Sequence, residues 1–175
     1  MGDFKLATFK NLSEFYNLID KATIKTIDYV TDRLVSELNA NMIEKGIGLH
    51  DSFYSQTGDF YTAWKTEIAS RVGEYFSSSL RFDGDSMRLD PDNFTHGSNY
   101  YDINDVRDIM PYIIFGGMAG DLFGAGYWTR KRDAWSPTMS RMDRSFGKWL
   151  KEGFAQNGFD IKIYNPVVYV VEEVD

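Results

Sequence analysis

The sequence predicts an α+β domain, an antiparallel sheet packed by a long N-terminal helix and an amphipathic C-terminal helix. Three observations carry this. Apolar residues recur at helical spacing over residues 13–45; short alternating segments separated by turn signals follow from residue 64; and Ser136-Pro137 opens a second helical pattern. A chain of 175 residues suits one domain and can bury a core. That domain is expected over residues 13–171, after an N-terminal arm at 1–12 and before a frayed acidic tail at 172–175.

In the first helix, Ser13 and Glu14 read as the start, and Ile24, Ile27, Val30, Leu34, Leu38 and Met42 form one stripe. Asp28, Asp32, Arg33 and Glu37 mostly lie off that stripe, and Gly46 and Gly48 end the pattern. Residues 20–23 leave open a break into two helices. Residues 54–64 then read as a hinge, in which Thr57 can cap a short helical turn, Gly58 allows a sharp bend, and Phe60 and Trp64 share a face.

The sheet is expected from residue 64 onward. Trp64, Thr66, Ile68 and Val72 take one side of a strand, and Lys65, Glu67 and Arg71 the other. Phe76, Leu80 and Phe82 alternate in the same way, Asp83-Gly84 reads as a hairpin turn, and Met87 and Leu89 as its return strand. Residues 90–93 force a further turn, 94–102 read as a loop insertion, 104–110 as a short helix, and 112–115 as a short buried strand. Gly116, Gly117, Gly120, Gly124 and Gly126 make a mobile loop, expected at an assembly surface.

The last helix is predicted from Ser136-Pro137 to about residue 157, with Gly158 as its stop. Its apolar face is Met139, Met142, Phe146, Trp149, Leu150 and Phe154; Arg141, Arg144, Lys148 and Lys151 form a basic stripe on the opposite side. Gly147 and Gly153 each weaken the helix by about 1 kcal/mol relative to alanine. Two strands are expected at 159–164 and 167–171, around Asn165-Pro166.

Composition excludes several functions. There is no cysteine, hence no disulfide and no thiolate chemistry. No segment approaches the ~20 apolar residues of a membrane span, and the first residues hold no apolar run fit for a signal peptide, so synthesis in the cytoplasm is expected. A net charge of −7 argues against tight nucleic-acid binding, though an acidic wall past which DNA slides is compatible with it. Aromatic residues make up 16% of the chain, which favours extended packing or contact surfaces.

Reactive constellations are scarce. His50 and His96 stand in separate loop-like contexts without the acidic partners a zinc site needs. No nucleophile elbow occurs, and the glycine-rich segment lacks the Gly-Lys-Ser/Thr of a Walker loop; Thr129 stands where the dinucleotide pattern requires its third glycine. Asp83, Asp85, Asp90 and Asp92 cluster without the distal glutamate of a calcium loop. The expectation is therefore a chain with no cofactor, metal ligand or catalytic residue.

Charge is instead segregated. Residues 83–108 hold seven Asp against Arg88 and Arg107, and residues 130–151 hold seven Lys or Arg against Asp133 and Asp143. Complementary patches on one molecule allow head-to-tail contacts that close into rings. Solvation or pairing within the molecule is the competing reading. The interface expected from these charges is Arg141, Arg144, Lys148 and Lys151 against Asp83, Asp85, Asp90 and Asp92.

The order of features resembles a family. A long N-terminal helix leads into Tyr54-x-x-Thr57-Gly58-x-Phe60, then strands, a glycine-rich loop and an amphipathic helix. This is similar to the small tail-completion or neck proteins of tailed bacteriophages, in which the motif commonly reads Tyr-x-Arg-Thr-Gly-x-Leu; Gln56 replaces the arginine and Phe60 the leucine. Residues 112–117, with Tyr127-Trp128-Thr129-Arg130 and Arg132-Asp133-Ala134-Trp135, resemble that family's strand, loop and start of the last helix. The resemblance spans most of residues 13–162. It implies a non-enzymatic structural protein of the virion, made in the host cytoplasm and forming an oligomeric ring at the head–tail junction. Its partners would be its own copies, other neck, connector and tail proteins, and DNA passing through the lumen without specific binding; no membrane is implied. A tail terminator or head-completion adaptor is the nearest alternative, and a small virion-associated hydrolase the alternative of another class.

Overall fold

The computed structural model describes residues 11–45, 59–86 and 133–164, with the backbone alone at 59 and 60, and its first stretch is one unbroken helix, α1 (Leu12–Glu44). Asn11 starts it rather than Ser13: the Asn11 Oδ1 accepts the N–H of Glu14 at 2.9 Å. No break occurs at residues 20–23. Thr23 turns its hydroxyl back onto the Ile19 carbonyl (2.9 Å), which fits a helix interior. At 33 residues α1 is about 50 Å long. Val30, Leu38 and Met42 of the predicted stripe are buried, joined by Ala22, Thr26 and Thr31.

A single turn of helix, α2 (Asp59–Thr62), precedes four short strands: β1 (Trp64–Thr66), β2 (Ser70–Val72), β3 (Tyr75–Ser77) and β4 (Leu80–Phe82). They form two antiparallel pairs, β1 with β4 and β2 with β3. Trp64 faces Phe82 in the first pair and Val72 faces Tyr75 in the second. Between the pairs the Glu67 N–H still donates to the Ser79 carbonyl at 2.9 Å. Three residues, 67–69, thus stand against two, 78 and 79. The four strands are the base and tip of one hairpin interrupted by a β-bulge.

The bulge corrects the predicted alternation. Side chains point to opposite faces with period two, so one extra residue exchanges the faces beyond it. Trp64 is buried, its ring 5.3 Å from that of Phe82. Past the bulge the inward residue is Ala69, while Ile68 is 82% exposed and Val72 62%. The turn also differs from prediction. The chain reverses at Gly73-Glu74, where Gly73 takes a φ of 63°, the positive value a two-residue hairpin loop needs. Asp83 instead begins a 3₁₀ turn, Gly84–Ser86, its carbonyl accepting the Ser86 N–H (3.1 Å) and hydroxyl (2.8 Å). The expected return strand at Met87 and Leu89, and everything expected over 90–132, lies outside the described residues.

The hairpin is pinned to α1 at two points. Asp28 Oδ1 accepts the N–H of Ala69 at 2.6 Å, and Asp20 pairs with Arg71 at 2.6 Å. The first bond matters more, because a bulge removes ladder partners and Ala69 is buried. Asp28→Ala is expected to lower stability by about 1–2 kcal/mol by leaving that N–H unsatisfied. Asp20→Ala should change it by less than about 1 kcal/mol, since that ion pair is exposed. Urea titration of the two variants checks the order, and equal losses would remove the special role of the bulge.

The last helix, α3, runs Trp135–Gln156. Asp133, not Ser136, supplies its capping oxygen, accepting the Ser136 N–H at 2.9 Å. Pro137 then sits in the first turn, where a missing N–H costs nothing. The predicted stop is observed: Gly158 has a φ of 83°, its N–H donates to the Ala155 carbonyl (3.0 Å), and the Phe159 N–H donates to the Phe154 carbonyl (2.9 Å). The rings of Phe154 and Phe159 meet edge to face, 6.3 Å apart. This is a Schellman stop with its usual hydrophobic contact. Residues 159–164 continue without regular structure, so the strand expected there does not form; the one expected at 167–171 lies outside the described residues.

The two long helices pack antiparallel. Thr26 lies against Gly153, Tyr29 bonds Glu152, and Asn41 donates to the Thr138 hydroxyl at 2.9 Å, so numbering rises along one helix as it falls along the other. The Thr138 hydroxyl in turn donates to the Ala134 carbonyl at 2.7 Å. The residues of α3 buried in this seam are Thr138, Ser145, Trp149 and Gly153. Small residues let the helix backbones approach closely, and Trp149 fills the space between them. The result is one α+β domain: two helices side by side, with the bulged hairpin laid along α1.

Candidate functional site

The amphipathic pattern of α3 has a consequence on its outer face. With Trp149 and Gly153 turned to α1, the basic stripe must turn outward, and Arg141, Arg144, Lys148 and Lys151 are all exposed. They are not equally free. Arg141 Nε lies 3.6 Å from Glu37 Oε1 on α1, and Lys148 Nζ lies 3.7 Å from Glu152 Oε1, one turn along its own helix. Arg144 and Lys151 form no ion pair among the described residues.

Glu152 organises the inner edge of the stripe. Its Oε2 accepts the Tyr29 hydroxyl at 2.9 Å, and Tyr29 in turn accepts Arg33 Nε at 3.0 Å. Arg33 also approaches Glu152 itself at 3.7 Å. The hydrogen bond to the Tyr29 hydroxyl raises the pKa of the Arg33 guanidinium. Glu152 is thus a clamp between α1 and α3, with its oxygens already committed.

Beside this clamp a cavity of about 430 Å³ opens between α3 and the irregular segment after it. It is lined by Gly147, Lys148, Lys151, Glu152 and Ile163. Gly147 contributes no side chain to the lining, and Ile163 supplies an apolar wall. Two ammonium groups stand at its border. Small-molecule sites are mostly apolar with a few polar groups. Among the described lining residues, Lys148 and Lys151 add two cations to a largely apolar surface, which suits a protruding group that is apolar with an anionic neighbour.

The acidic partner expected from the sequence is placed less simply. Asp83 is half-buried, and its N–H donates to the Ala63 carbonyl at 2.8 Å. Asp85 is exposed but not without a contact of its own. Neither stands on a hairpin tip. Asp90 and Asp92 lie outside the described residues, as do His50, His96 and the loop glycines Gly116, Gly117, Gly120, Gly124 and Gly126. Among the described residues, no group of three His, Cys, Asp or Glu side chains could hold a metal ion, and no helix is long and apolar enough to cross a membrane.

Sequence reasoning missed the feature that does project. The tip of the 64–82 hairpin carries Val72, Gly73, Glu74 and Tyr75, with Tyr75 77% exposed. Its one sequence signal is Gly73 between two short alternating runs. Glu74 forms no ion pair among the described residues. Compared with protein-family models, with curated proteins and with solved structures, the chain matches none.

Proposed function

We propose that this chain is a structural subunit of a tailed-phage particle, assembling through its charged face into a ring at the head–tail junction through which DNA passes. The observation that carries the reading is the outward stripe on α3, where Arg144 and Lys151 find no anionic partner among the described residues. Exposed cations along the stripe, with Lys148 and Lys151 bordering an open cavity, on a protein with a net charge of −7, suit contact with an acidic surface of another copy. The α+β architecture and the Tyr54-x-x-Thr57-Gly58-x-Phe60 motif support the neck or tail-completion position. A net negative charge suits a wall that DNA passes without adhering.

Reversing two stripe charges tests this. Arg144→Glu with Lys148→Glu is expected to weaken self-association while leaving the monomer folded, because both side chains are exposed. Exposed pairs contribute only about 0–1 kcal/mol each, so the effect should reach roughly tenfold in the association constant. High salt should weaken the wild-type assembly in the same direction. Light scattering with negative-stain imaging reads both. A wild type that stays monomeric at every concentration, alone and with virion extracts, would remove the ring.

A further inference from the structure

The hairpin tip and the α3 cavity match in charge and chemistry, and they lie on different parts of the molecule. We infer that the tip formed by Val72, Gly73, Glu74 and Tyr75 docks into the Gly147–Ile163 cavity of a second copy of this chain, head to tail. The inference rests on the ring reading and names the contact that builds it.

Four observations converge. The tip presents an apolar pair, Val72 at 62% and Tyr75 at 77% exposure: the bulge turned Val72 away from α1, and Tyr75 stands opposite it on the partner strand. Exposed aromatic residues of this kind are common anchors of protein interfaces. Glu74 sits beside Tyr75 at the turn and has no ion partner among the described residues. The cavity offers the converse: no side chain at Gly147, an apolar wall at Ile163, and the ammonium groups of Lys148 and Lys151 at the border. In the docked pair, the Tyr75 ring occupies the space over Gly147 against Ile163, and the Glu74 carboxylate meets Lys151, with Lys148 shared between Glu74 and its own Glu152.

The contact cannot be made within one molecule. Arg71 ties the strand leading to the tip to Asp20 of α1, whereas Glu152 ties the cavity to Tyr29 and Arg33. Nine to thirteen residues of helix, about 14–20 Å, separate these anchor points. The tip points further toward the start of α1, and the two-point attachment at Asp20 and Asp28 holds it there. A tip from another copy is therefore the occupant that the charge pattern fits. Because the two surfaces differ, each copy carries one of each, and the contact propagates into a ring when its rotation closes.

The absence of cysteine from the chain allows a direct test. Full-length protein carrying both Tyr75→Cys and Lys151→Cys is oxidised mildly and resolved on non-reducing gels. A ladder of dimers, trimers and larger species is expected. A mixture of the two single variants should give a dimer and nothing larger, and each single variant alone should stay monomeric. Tyr75→Ala, whose side chain is exposed and whose fold circular dichroism can verify, should weaken association at least tenfold in light scattering. Glu74→Lys should do the same, and Glu74→Lys with Lys151→Glu should restore it. Dimers from Tyr75→Cys alone would replace the head-to-tail contact with a symmetric one and overturn the inference. Wild-type oligomers that Tyr75→Ala leaves intact, with no ladder from the double variant, would overturn the contact and keep the ring. No self-association and no cross-link would overturn both.

Discussion

Replacing Trp149 with alanine is expected to lower the unfolding free energy by about 3–5 kcal/mol, the range for removing a fully buried tryptophan. Trp149 is 5% exposed and lies on the α3 ridge between Ser145 and Gly153. The antiparallel register that sets Gly153 against Thr26 places Trp149, one turn earlier, level with Val30, one turn later on α1; Val30 is 4% exposed. Its neighbours along the ridge, Ser145 and Gly153, are small, as is Thr26 facing Gly153, so these described residues reach little of the cavity left by truncation. That is the condition under which the cost approaches the upper end of the range. Trp149→Phe, which keeps most of the ring, should lose less. Guanidinium titration reads both, and a loss below about 1 kcal/mol for Trp149→Ala would show that the ridge is not the core of the helix pair.

Both long helices were legible in the sequence because 33 and 22 residues sample the 3.6 period many times over, and one misplaced residue does not hide it. The stop at Gly158 was legible for a local reason, since only glycine takes that backbone conformation cheaply. The starts were less so. Asn11 and Asp133, not Ser13 and Ser136, supply the capping oxygens; all three residue types can cap and only geometry selects among them. The hairpin was misread because a period of two has no redundancy. One bulge residue near Ile68 exchanged the faces, so Val72 came outside and Arg71 turned to Asp20. The outward basic stripe followed from amphipathicity and could be read directly. The cavity beside it could not, since Ile163 reaches it from a segment without regular structure whose path is set by the preceding helix stop. The seam itself was hidden by its chemistry: Thr138, Ser145, Gly153 and Thr26 are not apolar, and a search for hydrophobic stripes passes over them.

Gly153 shows how far such a residue departs from its apparent cost. On helix propensity alone, Gly153→Ala would stabilise α3 by about 1 kcal/mol. The structure reverses the sign. A Cβ built at Gly153 meets Thr26 Cγ2 at 2.7 Å, and Thr26 Cα and Cβ at 3.2 Å. The first atom belongs to a side chain that is fully buried, and the second to the backbone of α1, so neither yields without moving a helix. Overpacking of this kind costs about 1–3 kcal/mol, and the seam must open along its length because Asn41 and Tyr29 bond α3 on either side of the helix pair's centre. Gly153→Ala is therefore expected to lower stability by about 1 kcal/mol net, with a larger loss for Gly153→Leu. Thr26 offers the control. Its hydroxyl is buried without a hydrogen-bond partner among the described residues, so Thr26→Ala removes an unsatisfied group together with the offending methyl. In a double-mutant cycle, Thr26→Ala should recover roughly 1 kcal/mol of the Gly153→Ala loss, a coupling that residues out of contact would not show. Strictly additive effects, or a Gly153→Ala variant more stable than wild type, would mean that α1 and α3 do not meet at this point.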